Sequence, residues 1–278
     1  MSIADKLTQI AENEQKVYDS GYNGGEAAGY RTGHSVGYVE GETAGFDAGK
    51  QAAREAFWNA YIPDGLEHWQ YVFYVRWNEK NFYPTKDLKP KGSMGFGFSS
   101  FSVVNLTQRL KDCGVTLDTS GVTAGNYMFA YSSMITHLPT LSFVGFTEDV
   151  SNIFDGDRSI VEIEKIILKD DGSTTFSNWF RGCNALTTIA FDGVIGQNID
   201  FTACTKLSKD SITNIINHLS DTASGKTLTL SQTAIYNAFG AWSADYDGDG
   251  KHDSWIGNDI GEWIELIDSK PNWNIVAV

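Results

Sequence analysis

Asp245, Asp247, Asp249 and Asp253 fall at positions 1, 3, 5 and 9 of a loop whose sixth residue is Gly250. Alternate carboxylates around a glycine-dependent turn match the oxygen arrangement that a calcium ion takes, with the backbone carbonyl of Lys251 at position 7. Ile256 stands at position 12, where such a loop has an acid, so Asp259, Glu262 or water is left to close the shell. Four like charges this close repel unless a cation neutralises them. The competing reading is a solvated acidic turn. Trp242, Trp255 and Trp263 flank the segment and tie it to a core, which makes a bound Ca2+ structural rather than catalytic.

Other motifs resolve to ordinary structure. Gly33-His34-Ser35-Val36-Gly37 has the form of a hydrolase nucleophile elbow, but that chemistry needs a strand before the turn and a helix after it. Both glycines belong instead to a longer repeat. Ser224-Gly225-Lys226-Thr227 has the ending of a phosphate loop, yet Ser220 stands where its first glycine belongs, and the expected element order is helix then strand, the reverse of what phosphate binding requires. The histidines (His34, His68, His137, His218, His252) are scattered, and Cys113, Cys183 and Cys204 form no CxxC pair. No catalytic or organic-cofactor residue is expected, and the cysteines read as small buried side chains.

Upstream, glycine occupies every fourth position: Gly21, Gly25, Gly29, Gly33, Gly37, Gly41, Gly45 and Gly49. Tyr22, Tyr30, Tyr38 and Phe46 follow alternate glycines. Each glycine inside a helix costs about 1 kcal/mol relative to alanine, so the row needs close backbone contact with another chain to be helical. A four-residue step overshoots a helical turn, which favours right-handed coiling. The alternative is a flexible Gly-rich linker. Before it, Ile3, Leu7, Ile10 and Val17 space out an amphipathic helix that opens on a Ser2-x-x-Asp5 cap.

The net charge of −14 repels phosphate backbones and argues against nucleic-acid binding. No apolar run reaches the length of a membrane span, and the first residues lack the apolar stretch of a signal peptide. The expectation is a protein that stays in the cytosol or leaves the cell by a route other than secretion, without membrane insertion.

From about residue 100 a second periodicity takes over. Phe129, Phe154, Phe180 and Phe201 each open the pattern F-x-x-[small]-x-x-[LI], with Ser132, Asp157, Cys183 and Cys204 in the slot and Ile135, Ile160, Leu186 and Leu207 after it. Three units continue to Leu138, Ile163 and Ile189. The recurrence, about every 20–26 residues, suits a leucine-rich solenoid whose units bury their apolar edges against one another. Cys183 and Cys204 then point inward beside the four phenylalanines. Between the two periodic regions, Trp69 to Trp77 reads as a strand, and Tyr83 to Gly97 as loop.

The string Phe180-Arg-Gly-Cys183-Asn-Ala-Leu186-Thr-Thr-Ile189 resembles the BspA-type leucine-rich repeat. The span Leu207 to Leu219, followed by Ser224 to Leu230, resembles the closing helix and strand of such proteins encoded beside tail genes in phages and prophages of gut bacteria. The opening Met1 to Tyr18 is similar to the start of the same proteins. The resemblance implies a virion-attached recognition protein without enzymatic activity.

The expected fold class is α+β: a helical Gly-rich oligomeric stalk (1–60), a small aromatic β and loop region (61–100), and a short, irregular BspA-like head (101–278) with the acidic loop near its C-terminus. The expected role is a phage tail fibre or receptor-binding protein on the virion surface. Its partners are copies of itself, a trimer by analogy with fibres, other tail or capsid proteins, and a host surface glycan or protein. Head-decorating fibre, bacterial surface adhesin and glycan hydrolase are the alternatives. The last requires a carboxylate pair at a set separation, which sequence alone does not supply. No residue is assigned to the receptor contact.

Overall fold

The computed structural model describes residues 84, 86–101, 103–148, 150–244 and 254–278, together with Gly49. The chain divides into two compact units. The first comprises Met1–Pro63, Tyr83–Asp87 and Cys113–Val115, and nearly all of it lies outside the described residues. Gly21 through Gly45 belong to that undescribed part, and Gly49 is helical and buried; the strand expected between Trp69 and Trp77, in the second unit, also lies outside the described residues. The second unit comprises Asp64–Phe82, Leu88–Asp112 and Thr116–Val278.

The described elements mix helix and sheet. In chain order they are β1 (Gly92–Ser93), α1 (Leu106–Cys113), β2 (Val122–Ala124), β3 (His137–Leu138), β4 (Leu141–Ser142), β5 (Glu162–Ile167), β6 (Thr188–Asp192), β7 (Ile199–Phe201), α2 (Lys209–Asn217), β8 (Lys226–Leu230), α3 (Gln232–Phe239), β9 (Trp242–Ala244), β10 (Ser254–Ile256), α4 (Gly261–Asp268) and β11 (Trp273–Ala277). No described helix is long and apolar enough to cross a membrane. β1 lies inside the stretch expected to be loop.

The strands are short and almost all parallel. β3 and β4 both pair with β5, β5 pairs with β6, and β8 sits between β7 and β11. Register brings Leu138, Ile163 and Ile189 side by side, and Leu141, Ile166 and Phe191 beside them. All six are buried. In β6 period-two alternation turns Ile189 and Phe191 inward while Thr188 and Asp192 face solvent, and in β5 a register shift between Ile163 and Ile166 lets residues three apart both point inward. Each such aliphatic contributes about 1.5–3 kcal/mol by leaving water.

The irregular turns between strands are in register as well. Phe98, Phe129 and Phe154 donate their N–H groups to Met128 O at 2.6 Å, Ile153 O at 2.9 Å and Trp179 O at 3.1 Å. Two residues later, Ser100, Tyr131 and Gly156 donate to Ala130 O, Asp155 O and Arg181 O. These bonds satisfy backbone groups that no named strand covers. They also stack the phenylalanine rings: centroids are 4.9 Å apart for Phe98 and Phe129, 5.8 Å for Phe129 and Phe154, 5.6 Å for Phe154 and Phe180, and 4.5 Å for Phe180 and Phe201.

The column is closed by a helix. Ser208 caps α2 through its hydroxyl, which accepts from Ser211 N, and Ile212, Ile215 and Ile216 form the buried face. Ser211 Oγ accepts from Ile189 N at 3.0 Å, and Asn214 Oδ1 accepts from Phe191 N at 2.6 Å. Two side chains thus take the place of a further strand along the edge of β6.

Candidate functional site

Each of the first four stacked turns puts two residues in the left-handed region, one two places before the column phenylalanine and one two places after it. The first set is Phe96 (φ 59°), Tyr127 (φ 55°), Asn152 (φ 57°) and Asn178 (φ 55°). The second is Ser100 (φ 57°), Tyr131 (φ 59°), Gly156 (φ 76°) and Gly182 (φ 82°). Later turns fill these positions with asparagine and glycine, which take that conformation at little cost. The earlier turns place three large aromatic residues there, at about 1–2 kcal/mol each.

Those three side chains make one strip. The rings of Phe96 and Tyr127 stack at 5.0 Å with an interplanar angle of 7°, and Tyr127 and Tyr131 at 6.2 Å and 16°. Phe96 is 47% exposed and Tyr131 50%, with Tyr127 half-buried between solvent and core. Gly156 makes room for the strip: a Cβ on it would meet Cδ1 of Tyr131 at 2.7 Å.

A polar cluster adjoins the aromatic end. Tyr131 Oη donates to Asp155 Oδ2 at 3.2 Å. Arg181 clamps the same carboxylate with both arms of its fork, Nε to Oδ1 at 2.8 Å and Nη2 to Oδ2 at 2.5 Å. Asp155 is only 3% exposed, whereas the Arg181 side chain is largely in solvent. The Asp155 carboxylate raises the Tyr131 hydroxyl above its usual range, chiefly by charge, and its hydrogen bonds hold the Arg181 guanidinium firmly protonated. Tyr131 is therefore neutral and Arg181 cationic at physiological pH. The surface offers ring edges, a phenol and a planar fork side by side, which suits binding.

The residues singled out by the sequence sit elsewhere. Phe129, Phe154, Phe180 and Phe201 form the buried column, and Cys183 and Cys204 lie beside it as fully buried free thiols. Burial pushes both thiols up and keeps them protonated. Cys113, at the end of α1, is only partly buried.

Asp245, Asp247, Asp249, Lys251 and Asp253 lie outside the described residues. Their flanks are described: Ala244 pairs with Ser254 in the antiparallel β9 and β10 ladder, which brings the two ends of the acidic segment together. Of the two acids suggested to close an ion shell, Glu262 is held by Lys209 at 2.5 Å, and Asp259 is exposed. Trp255 packs edge-on against the buried Trp263 at 4.9 Å. Trp242 instead is half-exposed, packed edge-on against Tyr236 at 5.9 Å. Among the described residues, no group of three or more His, Cys, Asp or Glu side chains is placed to hold a metal. Gly225 of the apparent phosphate loop is a turn residue at φ 63°, and Lys226 Nζ is bonded to Gln197 Oε1 at 2.8 Å.

No protein-family model matches the chain, and no curated protein or solved structure matches it either. The chemistry of the exposed strip is therefore the main guide to function.

Proposed function

We propose that this chain is a non-enzymatic recognition protein of a bacteriophage virion, with a BspA-like leucine-rich solenoid as its head and the strip Phe96, Tyr127, Tyr131, Asp155 and Arg181 as the receptor-binding face. The observation that carries the reading is the placement of three half-exposed aromatic residues at left-handed positions that asparagine or glycine fills at lower cost in the later turns. Backbone strain combined with apolar exposure costs stability without a folding benefit, and such a combination marks a contact surface. The repeat pattern, the parallel in-register strands and the stacked phenylalanines support the solenoid reading.

In this reading the N-terminal helix and glycine row attach the protein to other tail or capsid proteins and oligomerise it. The head meets a host surface glycan or protein. A structural Ca2+ in the acidic loop belongs to the same proposal.

Two measurements test it. Antibody labelling of intact particles places the chain on the tail, on the head or nowhere. Binding of the purified protein to host cells should fall at least tenfold in a Tyr127→Ala, Tyr131→Ala variant whose unfolding curve matches the parent within about 1 kcal/mol. Particles without the chain, or undiminished cell binding by that variant, count against the proposal.

A further inference from the structure

The third residue after Phe129, Phe154, Phe180 and Phe201 reaches back to the preceding turn. Ser132 Oγ accepts from Phe101 N at 3.2 Å and donates to Phe98 O at 2.8 Å. Cys183 Sγ donates to Phe154 O at 3.3 Å, and Cys204 Sγ approaches Phe180 O at 4.0 Å. In each case the proton on the side chain faces the carbonyl of the phenylalanine one turn back. Asp157 holds the same slot between Ser132 and Cys183. Its Oδ1 accepts from Ser132 N at 2.5 Å, while Oδ2 is buried and receives no donor. The acceptor that the pattern assigns to Oδ2 is the Phe129 carbonyl.

We infer that Asp157 is built into the stack as a neutral carboxylic acid whose Oδ2–H donates to the Phe129 carbonyl, so that the joint between these two turns loosens on deprotonation. A carboxylate there would set a buried charge against a carbonyl oxygen, the least favourable pairing in a low-dielectric interior. Two titratable groups act on it electrostatically. Asp155 lies on the same turn, the Cys183 thiol is on the next, and Arg181 is committed to Asp155. Burial pushes the Asp157 carboxyl up to about 8, Asp155 adds to the rise, and the Ser132 N–H opposes it. Asp157 is two residues from Asp155, so the joint underlies the cluster that Tyr131 and Arg181 complete at the surface.

The sign follows from the raised value. Folded and unfolded chains both hold the proton in strong acid; from the ordinary carboxylate range up to about 8 only the folded chain holds it. This group's contribution to stability is therefore lost as pH rises through that window and is constant above it.

Urea unfolding of the full chain and of Asp157→Asn, compared from about pH 5 to pH 9, tests the inference. The folding constant of the parent should fall relative to the variant by up to about tenfold per pH unit, and the ratio should level off above about pH 8. A ratio that stays constant across the range overturns it. Asp157→Cys, which copies the next two turns, should behave as Asp157→Asn does. If neither variant folds, infrared spectroscopy of the parent decides. The carbonyl stretch of a protonated carboxylic acid should persist at about pH 7 and vanish by about pH 10, and its absence at about pH 7 refutes the neutral acid.

Discussion

Gly156 lies against the ring of Tyr131, close enough that a Cβ would stand 2.7 Å from Cδ1 and 2.9 Å from Cε1. The contact ties a backbone choice in one turn to the position of an exposed ring in the turn before it. Gly156→Ala should cost about 1–2 kcal/mol from its φ of 76° alone, and more from the displaced ring. Adding Tyr131→Ala removes the clash and should recover the steric part, leaving the backbone part. Urea titrations of the two singles and the double separate the terms. Full additivity would show that the ring and the glycine are independent.

The phenylalanine column predicts large effects from single truncations. Phe180 stacks on Phe154 and Phe201 and meets Trp179 and Phe191 edge-on, at interplanar angles of 60° and 83°. Phe180→Ala should destabilise the second unit by about 3–5 kcal/mol, measured as a shift in the urea midpoint at constant slope. The same packing shields the neighbouring thiols. Without denaturant, Cys113 should react with a thiol reagent first, and Cys183 and Cys204 only as fast as the fold opens.

Much of this column is visible in the sequence, because an inward position in a stacked segment keeps its residue type and step. Phe129, Phe154, Phe180 and Phe201 recur with a small slot residue, and their continuation runs through Leu138, Ile163 and Ile189, which the strand register aligns. Phe98 escapes the pattern because Phe101, a second large ring, fills its slot and meets it edge-on at 5.7 Å. The exposed strip escapes for a different reason. Left-handed residues announce themselves as glycine or asparagine, and Phe96, Tyr127 and Tyr131 are neither. The signal was available only by aligning each turn on its phenylalanine, which sets Tyr127 above Asn152 and Tyr131 above Gly156. That Asp157 shares a slot with serine and cysteine was legible; that one of its oxygens has no donor was not.

The edge of β6 provides another test. Ser211 Oγ and Asn214 Oδ1 accept from Ile189 N and Phe191 N, and Ser211 Oγ also donates to Thr187 O at 3.3 Å. Ser211→Ala leaves a buried N–H without an acceptor and should cost about 1–3 kcal/mol. Combined with Asn214→Ala it should also expose a strand edge, so light scattering during refolding should rise with protein concentration. A double variant that is as stable as the parent and refolds without scattering would show that α2 covers the edge by packing alone.

The acidic segment is the sharpest test of the metal proposal. Ala244 and Ser254 are paired, so the nine residues from Asp245 to Asp253 join two strand ends already held together. Four carboxylates within nine residues of sequence repel one another, and solvent or a cation must relieve that repulsion. If calcium relieves it, binding to the folded chain alone stabilises the fold by mass action. A chelator should then lower the melting temperature, and calcium should restore it where magnesium does so poorly, because the smaller ion requires octahedral geometry and gives up water reluctantly. Asp247→Asn with Asp249→Asn should abolish the calcium response and leave the Phe180 column intact, read as an unchanged urea slope. Trp255 reports on the same event: it sits at the foot of the loop against Trp263, so its fluorescence should change on titration with calcium and stay constant in the double variant. Melting curves that coincide with and without chelator, in protein verified to be metal-free, would leave the solvated turn as the description of this loop.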